Sequence, residues 1–144
     1  MSEGEPIMSK EQELAEQIRQ ARFVWIAGNG GSASTAEHFA TDLVKKGIKA
    51  IALSANTSVI TMIANDYGYD QIFSKQLEVL ANFDDLLITI SCSGTSPNIE
   101  NARKTAFIKM KMNLYSFETF GEDRDYGKLE DKHLAFAHEV ARLL

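Results

Sequence analysis

Short apolar runs alternate along the chain with longer stretches in which apolar residues recur every three or four positions, a pattern that predicts strands and helices taking turns. The first periodic stretch predicts a helix from Ser9 to Ala21, capped by Ser9, with Leu14, Ile18 and Ala21 on one face. Phe23 to Ala27 then reads as a buried strand, Ser32 to Lys46 as a helix stopped by Gly47, and Lys49 to Leu53 as a second strand. Helices are expected over Ser58 to Ala64 and Asp70 to Leu80. Leu86 to Ile90 is apolar at nearly every position, as a strand covered on both faces requires. A helix from Asn98 to Met110, a strand from Asn113 to Phe117 and a last helix from about Leu129 to Leu144 complete the pattern. Phe107, Ile108, Met110 and Met112 are assigned to the core, the alternative being an apolar face covered in an assembly.

Strands alternating with helices imply right-handed crossovers. The expected fold is therefore an α/β three-layer sandwich around a parallel sheet of four to five strands, with ligands at the carboxyl ends of the strands. With 144 residues and 44% apolar content, the chain is expected to form a single domain over 1–144, with residues 1–8 disordered. Its polar, acidic opening lacks the pattern of a signal peptide, and no run approaches the ~20 apolar residues of a membrane span. The lone Cys92 excludes a disulfide framework and a cysteine-built zinc site and fits a reducing compartment, so a cytoplasmic location is expected. A net charge of -5 argues against nucleic acid as a partner.

Two loops carry the candidate chemistry. Gly28-Asn29-Gly30-Gly31-Ser32 joins the first strand to a helix, where glycines permit close approach of a ligand and the free N-H groups of the first turn point at an anion. Ser91-Cys92-Ser93-Gly94-Thr95-Ser96 leaves the strand ending at Ile90 and enters a helix marked by Ser96 as cap and Pro97 at its first position. Its hydroxyls, with the dipole of that helix, can hold a phosphate without arginine. Read alone, the second loop serves equally as a serine-rich capping turn; the pair points to a phosphorylated small molecule. His38 and Asp42, spaced i and i+4, share one helix face, a spacing suited to a common metal. By themselves they read as a packed histidine and a solvent-facing aspartate.

The glycine loop with His38-Phe39, the run Ile63-Ala64-Asn65-Asp66-Tyr67-Gly68-Tyr69-Asp70-Gln71-Ile72-Phe73-Ser74-Lys75-Gln76-Leu77-Glu78, the loop Ser91 to Asn98 and the terminal His133-Leu134-Ala135-Phe136-Ala137-His138 together resemble the phosphoheptose isomerases, which belong to the SIS (sugar isomerase) fold, flavodoxin-like in its layering. The resemblance implies isomerisation of sedoheptulose 7-phosphate to D-glycero-D-manno-heptose 7-phosphate through an enediol, a step toward the heptose of bacterial surface polysaccharides. It further implies that Asn29, Gly30, Gly31 and Ser32 line the sugar site, that Asn65 and Asp66 bond sugar hydroxyls, and that Ser91, Cys92, Ser93 and Ser96 receive the phosphate. Asp42 and His138 fall on the catalytic positions, with Glu130 on a position that contacts substrate and metal; zinc would be held by His38, Asp42, Glu130 and His138, and no nucleotide cofactor is expected. The read-across also implies a homo-oligomer, dimer or tetramer.

The chain departs from the family pattern in several places. Asp42 stands where the family has glutamate, Cys92 where it usually has threonine, Glu130 in place of glutamine and Lys46 in place of arginine. The family's long first helix is missing before residue 9, and the stretch between Phe117 and Leu129 is short for a last strand, so the sheet is expected to hold as few as four strands. These departures keep open a second reading, a catalytically silent SIS module that binds a sugar phosphate as a sensor or scaffold.

Overall fold

The computed structural model describes residue 4 and residues 7–144. The expectation of disorder over 1–8 therefore falls largely outside the described residues. Four strands, β1 (Val24–Gly28), β2 (Ala50–Ala52), β3 (Leu86–Ile90) and β4 (Asn113–Ser116), form one sheet in the order β2-β1-β3-β4. Every pairing is parallel, and the central register sets Val24 against Leu86 and Gly28 against Ile90. Four strands is thus the lower of the two expected counts.

Alternation along β1 and β3 explains the layers. Val24, Ile26, Leu86, Ile88 and Ile90 face one side, against Leu14 and Ile18 of α1 (Lys10–Gln20), Phe39 and Leu43 of α2 (Gly31–Lys45), and Ala137 and Val140 of α6 (Tyr126–Arg142). Trp25, Ala27 and Leu87 face the other, against Ile63 of α3 (Thr57–Asp66), Leu77 of α4 (Ser74–Leu80), and Ile99 and Ala102 of α5 (Pro97–Lys104). Each fully buried Leu, Ile or Phe contributes roughly 1.5–3 kcal/mol relative to exposure, so both faces of the sheet demand cover. The amino ends of β1 and β3 are tied by a buried carboxylate: Asp85 accepts from Trp25 Nε1 and from Arg22 Nη2, both at 2.9 Å, and from Asn82 N at 2.8 Å.

Local signals set most element ends. Ser9 and Gln12 form the reciprocal capping box of α1. Gly47, at φ +82°, ends α2, with Gly47 N donating to Val44 O and Ile48 N to Leu43 O.

Four expectations are corrected. The helix expected over 70–80 is broken into a 3-10 turn at Tyr69–Gln71 and α4, because Ile72 and Phe73 are both driven into the core and the Ser74 hydroxyl bonds back to Gln71 O. The helix expected over 98–110 ends as α at Lys104 and continues as a wider π turn, in which Met110 N donates to Thr105 O. α6 starts at Tyr126, ahead of Leu129, because Asp125 caps it by accepting from Lys128 N at 3.2 Å. Met112 is buried as assigned, but Phe107 and Ile108, each 68% exposed, stand on the outer side of the π turn rather than in the core.

Candidate functional site

β1 feeds α2 on one face of the sheet, whereas β3 feeds α5 on the other. The two following loops therefore diverge at neighbouring strand ends and leave a crevice at the switch point of the sheet. The crevice is a pocket of about 280 Å³ whose walls come from both loops, Asn29 to Ser32 and Ser91, Cys92, Ser93 and Ser96, closed from the side by Tyr126 and Glu130 of α6. Nine of the residues singled out from sequence meet here: Asn29, Gly30, Gly31, Ser32, Ser91, Cys92, Ser93, Ser96 and Glu130.

The glycine loop is shaped by two demands. Gly30 sits at φ +56° immediately before α2, a backbone that side chains rarely adopt. Gly31 opens α2 directly against the carboxylate of Glu130, and a Cβ there would stand 1.6 Å from Glu130 Oε2. In the serine loop, Ser91 Oγ accepts from Gly94 N at 3.0 Å and Ser93 Oγ from Thr95 N at 3.2 Å, so the loop is folded by its own hydroxyls. Arg103 holds it from outside by donating to Gly94 O. Ser96 precedes Pro97 as the first residue of the α5 cap but makes no side-chain capping bond, which leaves its hydroxyl free for a ligand.

Cys92 is buried at the floor of the pocket, 4% exposed. Desolvation, reinforced by the nearby Glu130 carboxylate and opposed by a hydrogen bond from Ser32, pushes its thiol up, which favours the protonated sulfur. Cys92 O accepts from Phe120 N at 2.8 Å, tying the loop before α6 to the pocket.

A second locus lies further along the same two helices. His38 and Asp42 of α2 face His138 of α6, with the two histidine Nε2 atoms 3.1 Å apart and Asp42 Oδ2 at 3.6 Å from His38 Nε2 and 3.9 Å from His138 Nε2. Their ligand atoms lie within 4.8 Å of one another. His138 stands 100 residues from His38 in the chain, and only the parallel packing of α6 beside α2 joins them.

The structure brings together three of the four expected metal ligands and not the fourth. Glu130 precedes His138 by eight residues on α6, about 12 Å of helix rise, and its carboxylate lies against Gly31 in the pocket instead. Asn65 and Asp66 do not line the pocket either. They end α3, exposed, with Asn65 Nδ2 donating to Asp66 Oδ1 at 3.0 Å. Two contributors were not singled out from sequence: Tyr126, whose only signal was its place just ahead of Glu130, and Asn98, whose carboxamide pairs with that of Asn29.

A model of the SIS domain family matches residues 2–112. A phosphoheptose isomerase of Aliarcobacter butzleri (strain RM4018) is 35% identical over 159 aligned residues, taking in 97% of this chain and 84% of that protein. One from Helicobacter pylori (strain P12) is 48% identical over 99 residues, 65% of this chain and 52% of the relative. The solved structure of phosphoheptose isomerase from Neisseria gonorrhoeae superposes with a TM-score of 0.84 at 30% identity, over 92% of this chain and 83% of that one.

Proposed function

Because the chain belongs to the phosphoheptose isomerase family of SIS domain proteins, we propose that it interconverts sedoheptulose 7-phosphate and D-glycero-D-manno-heptose 7-phosphate. One observation carries this reading beyond the family match. A polar pocket at a helix N-terminus and a His-Asp-His cluster lie on the same pair of helices, with Gly31 and His38 about 10 Å apart along α2. A seven-carbon sugar phosphorylated at its far end spans such a separation, with phosphate at one locus and the reacting carbons at the other.

The phosphate is received by the free hydroxyl of Ser96, the hydroxyls of Ser91 and Ser93, and the first N-H groups of α5. No lysine or arginine lines the pocket among the described residues, so neutral donors and the helix dipole do the work of charge. Asn29, Ser32 and Glu130 address sugar hydroxyls. At the cluster, the Asp42 carboxylate removes a proton from C1 of the ketose while His138 gives one to the C2 carbonyl oxygen, forming the enediol. Return of a proton to C2 and loss of the proton from O1 yields the aldose, with no net gain or loss of electrons. Asp42 is shorter than glutamate by one methylene, and its carboxylate lies 3.9 Å from His138 Nε2.

The three side chains also fit a zinc ion. Their edges of 3.1, 3.6 and 3.9 Å bracket the ~3.3 Å between ligands of a tetrahedral site with bonds near 2.0–2.1 Å. His38, Asp42 and His138 would hold it, and when bound it would act as a Lewis acid toward the sugar oxygens. We further read the chain as a homo-oligomer acting in the cytoplasm; no helix among the described residues is long and apolar enough to cross a membrane. The test is conversion of sedoheptulose 7-phosphate by metal-stripped and zinc-replenished protein, with ligand binding followed in the same samples. Turnover supports the isomerase; binding without turnover in either state replaces it with the silent sugar-phosphate module.

A further inference from the structure

Asn98, 2% exposed at the start of α5, is not among the residues lining the pocket, yet its carboxamide closes a reciprocal pair with Asn29. Asn29 Nδ2 donates to Asn98 Oδ1 at 2.8 Å, and Asn98 Nδ2 donates to Asn29 Oδ1 at 2.9 Å. The Tyr69 hydroxyl donates to the same Asn29 Oδ1 at 3.4 Å. Both lone pairs of that oxygen are thereby engaged, and one of the two Nδ2 hydrogens is used. One N-H of Asn29 is left over, on a residue that lines the pocket.

Resting on the sugar-phosphate reading above, we propose that Asn98, with Tyr69, is a positioning residue that locks the carboxamide of Asn29 so that its remaining N-H is presented to a hydroxyl or carbonyl oxygen of the sugar. An amide free to flip would offer its oxygen to the ligand as readily as its nitrogen. The pair opposes turning Asn29 over alone, which would set oxygen against oxygen and nitrogen against nitrogen, and the bond that the Tyr69 hydroxyl donates to Asn29 Oδ1 sets the sense of the pair as a whole. It also joins the loop after β1 to the helix after β3, at the crevice where the two loops diverge. Tyr69 is brought to Asn29 by the 3-10 turn at Tyr69–Gln71, itself pinned to α5 by Asn101 Nδ2 donating to Asp70 O at 2.9 Å. This gives a physical role to the run around Tyr69, which the catalytic and phosphate groups do not use.

The test compares affinity for sedoheptulose 7-phosphate with affinity for inorganic phosphate in the full chain, in Asn98→Ala, Asn29→Ala, the double variant and Tyr69→Phe. Loss of one oriented hydrogen bond predicts sugar-phosphate binding weaker by roughly tenfold in Asn98→Ala and about two- to threefold in Tyr69→Phe, with inorganic phosphate changed less than twofold. Once Asn29→Ala has removed the group being oriented, Asn98→Ala should add nothing further. Tyr69 is 61% exposed, so Tyr69→Phe reads the same effect even where Asn98→Ala fails to fold. Equal losses for both ligands, additive losses in the double variant, or an unchanged affinity in Tyr69→Phe would each overturn the proposal. Tight sugar-phosphate binding without turnover by the unaltered chain would sink the isomerase reading alone, whereas no binding at all would sink both.

Discussion

Asp42→Asn is expected to stop turnover while leaving the fold and the phosphate pocket in place. The substitution keeps the shape of the side chain and removes its capacity to take a proton. Its neighbours are His38 Nε2 at 3.6 Å and His138 Nε2 at 3.9 Å, with the two imidazoles 51% and 37% exposed, so solvent screening limits the stability lost to under ~1 kcal/mol. Removal of a general base lowers kcat by roughly 10²- to 10⁴-fold, equivalent to about 2.7–5.4 kcal/mol of transition-state stabilisation. Asp42 follows Gly31 by eleven residues, about 16 Å of helix rise, and does not line the pocket, so affinity for inorganic phosphate should change by less than about twofold. The assay is initial-rate conversion of sedoheptulose 7-phosphate at saturating substrate, with calorimetric phosphate binding and a thermal melt on the same preparation. Turnover within fivefold of the unaltered chain would remove Asp42 from the chemistry. Loss of phosphate binding together with turnover would make it a binding residue instead.

Gly31→Ala should keep the fold within ~1 kcal/mol, since gained helix propensity offsets the rotamer change forced on Glu130. It should weaken sugar-phosphate binding about tenfold by turning that carboxylate away, and an unchanged affinity in titration would show that the ligand does not use Glu130. Ser96→Ala should be neutral in a thermal melt, unlike the ~1 kcal/mol of an ordinary cap, because Ser96 makes no capping bond to lose. The same variant should lose phosphate affinity by about 1–2 kcal/mol, and a destabilised protein with unaltered affinity would contradict the assignment. Burial raises both the Cys92 thiol and the Tyr115 phenol, the latter helped by Glu13 and Glu11. A folded state that holds these protons longer than the unfolded chain loses stability as pH rises, so denaturation midpoints should fall from about pH 9 upward, and a flat profile there would refute the shifts. In Glu130→Gln, Cys92 should react faster with a thiol reagent at pH 8, and added phosphate should slow it.

The two loops were legible in the sequence because each is a local object. Glycine and serine at a strand end, a proline at the first position of the next helix and a helical spacing of four between His38 and Asp42 all act within a few residues of themselves. The two-sided burial of β3 was legible for the same reason, since a run apolar at nearly every position fits a strand covered on both faces. The errors fell where tertiary demand overrides local preference. Ile72 and Phe73 interrupt a helix because two neighbouring side chains are needed in the core, and Phe107 and Ile108 are turned out by a π turn that no composition announces.

What the sequence determined alone is the alternation of elements, the parallel sheet and the glycine and serine loops at its strand ends, all consequences of periodicities and caps that operate over one or two turns of chain. What only the tertiary structure decided is which groups meet. The helix rise that separates Glu130 from His138 divides an apparent four-ligand set between two loci. The packing of α6 along α2 sets His138 against His38 across 100 residues of chain, and the parallel pairing of β1 beside β3 sets Asn98 against Asn29. Such contacts are fixed by where whole helices lie on the sheet, a free energy summed over the core, and no short segment carries it.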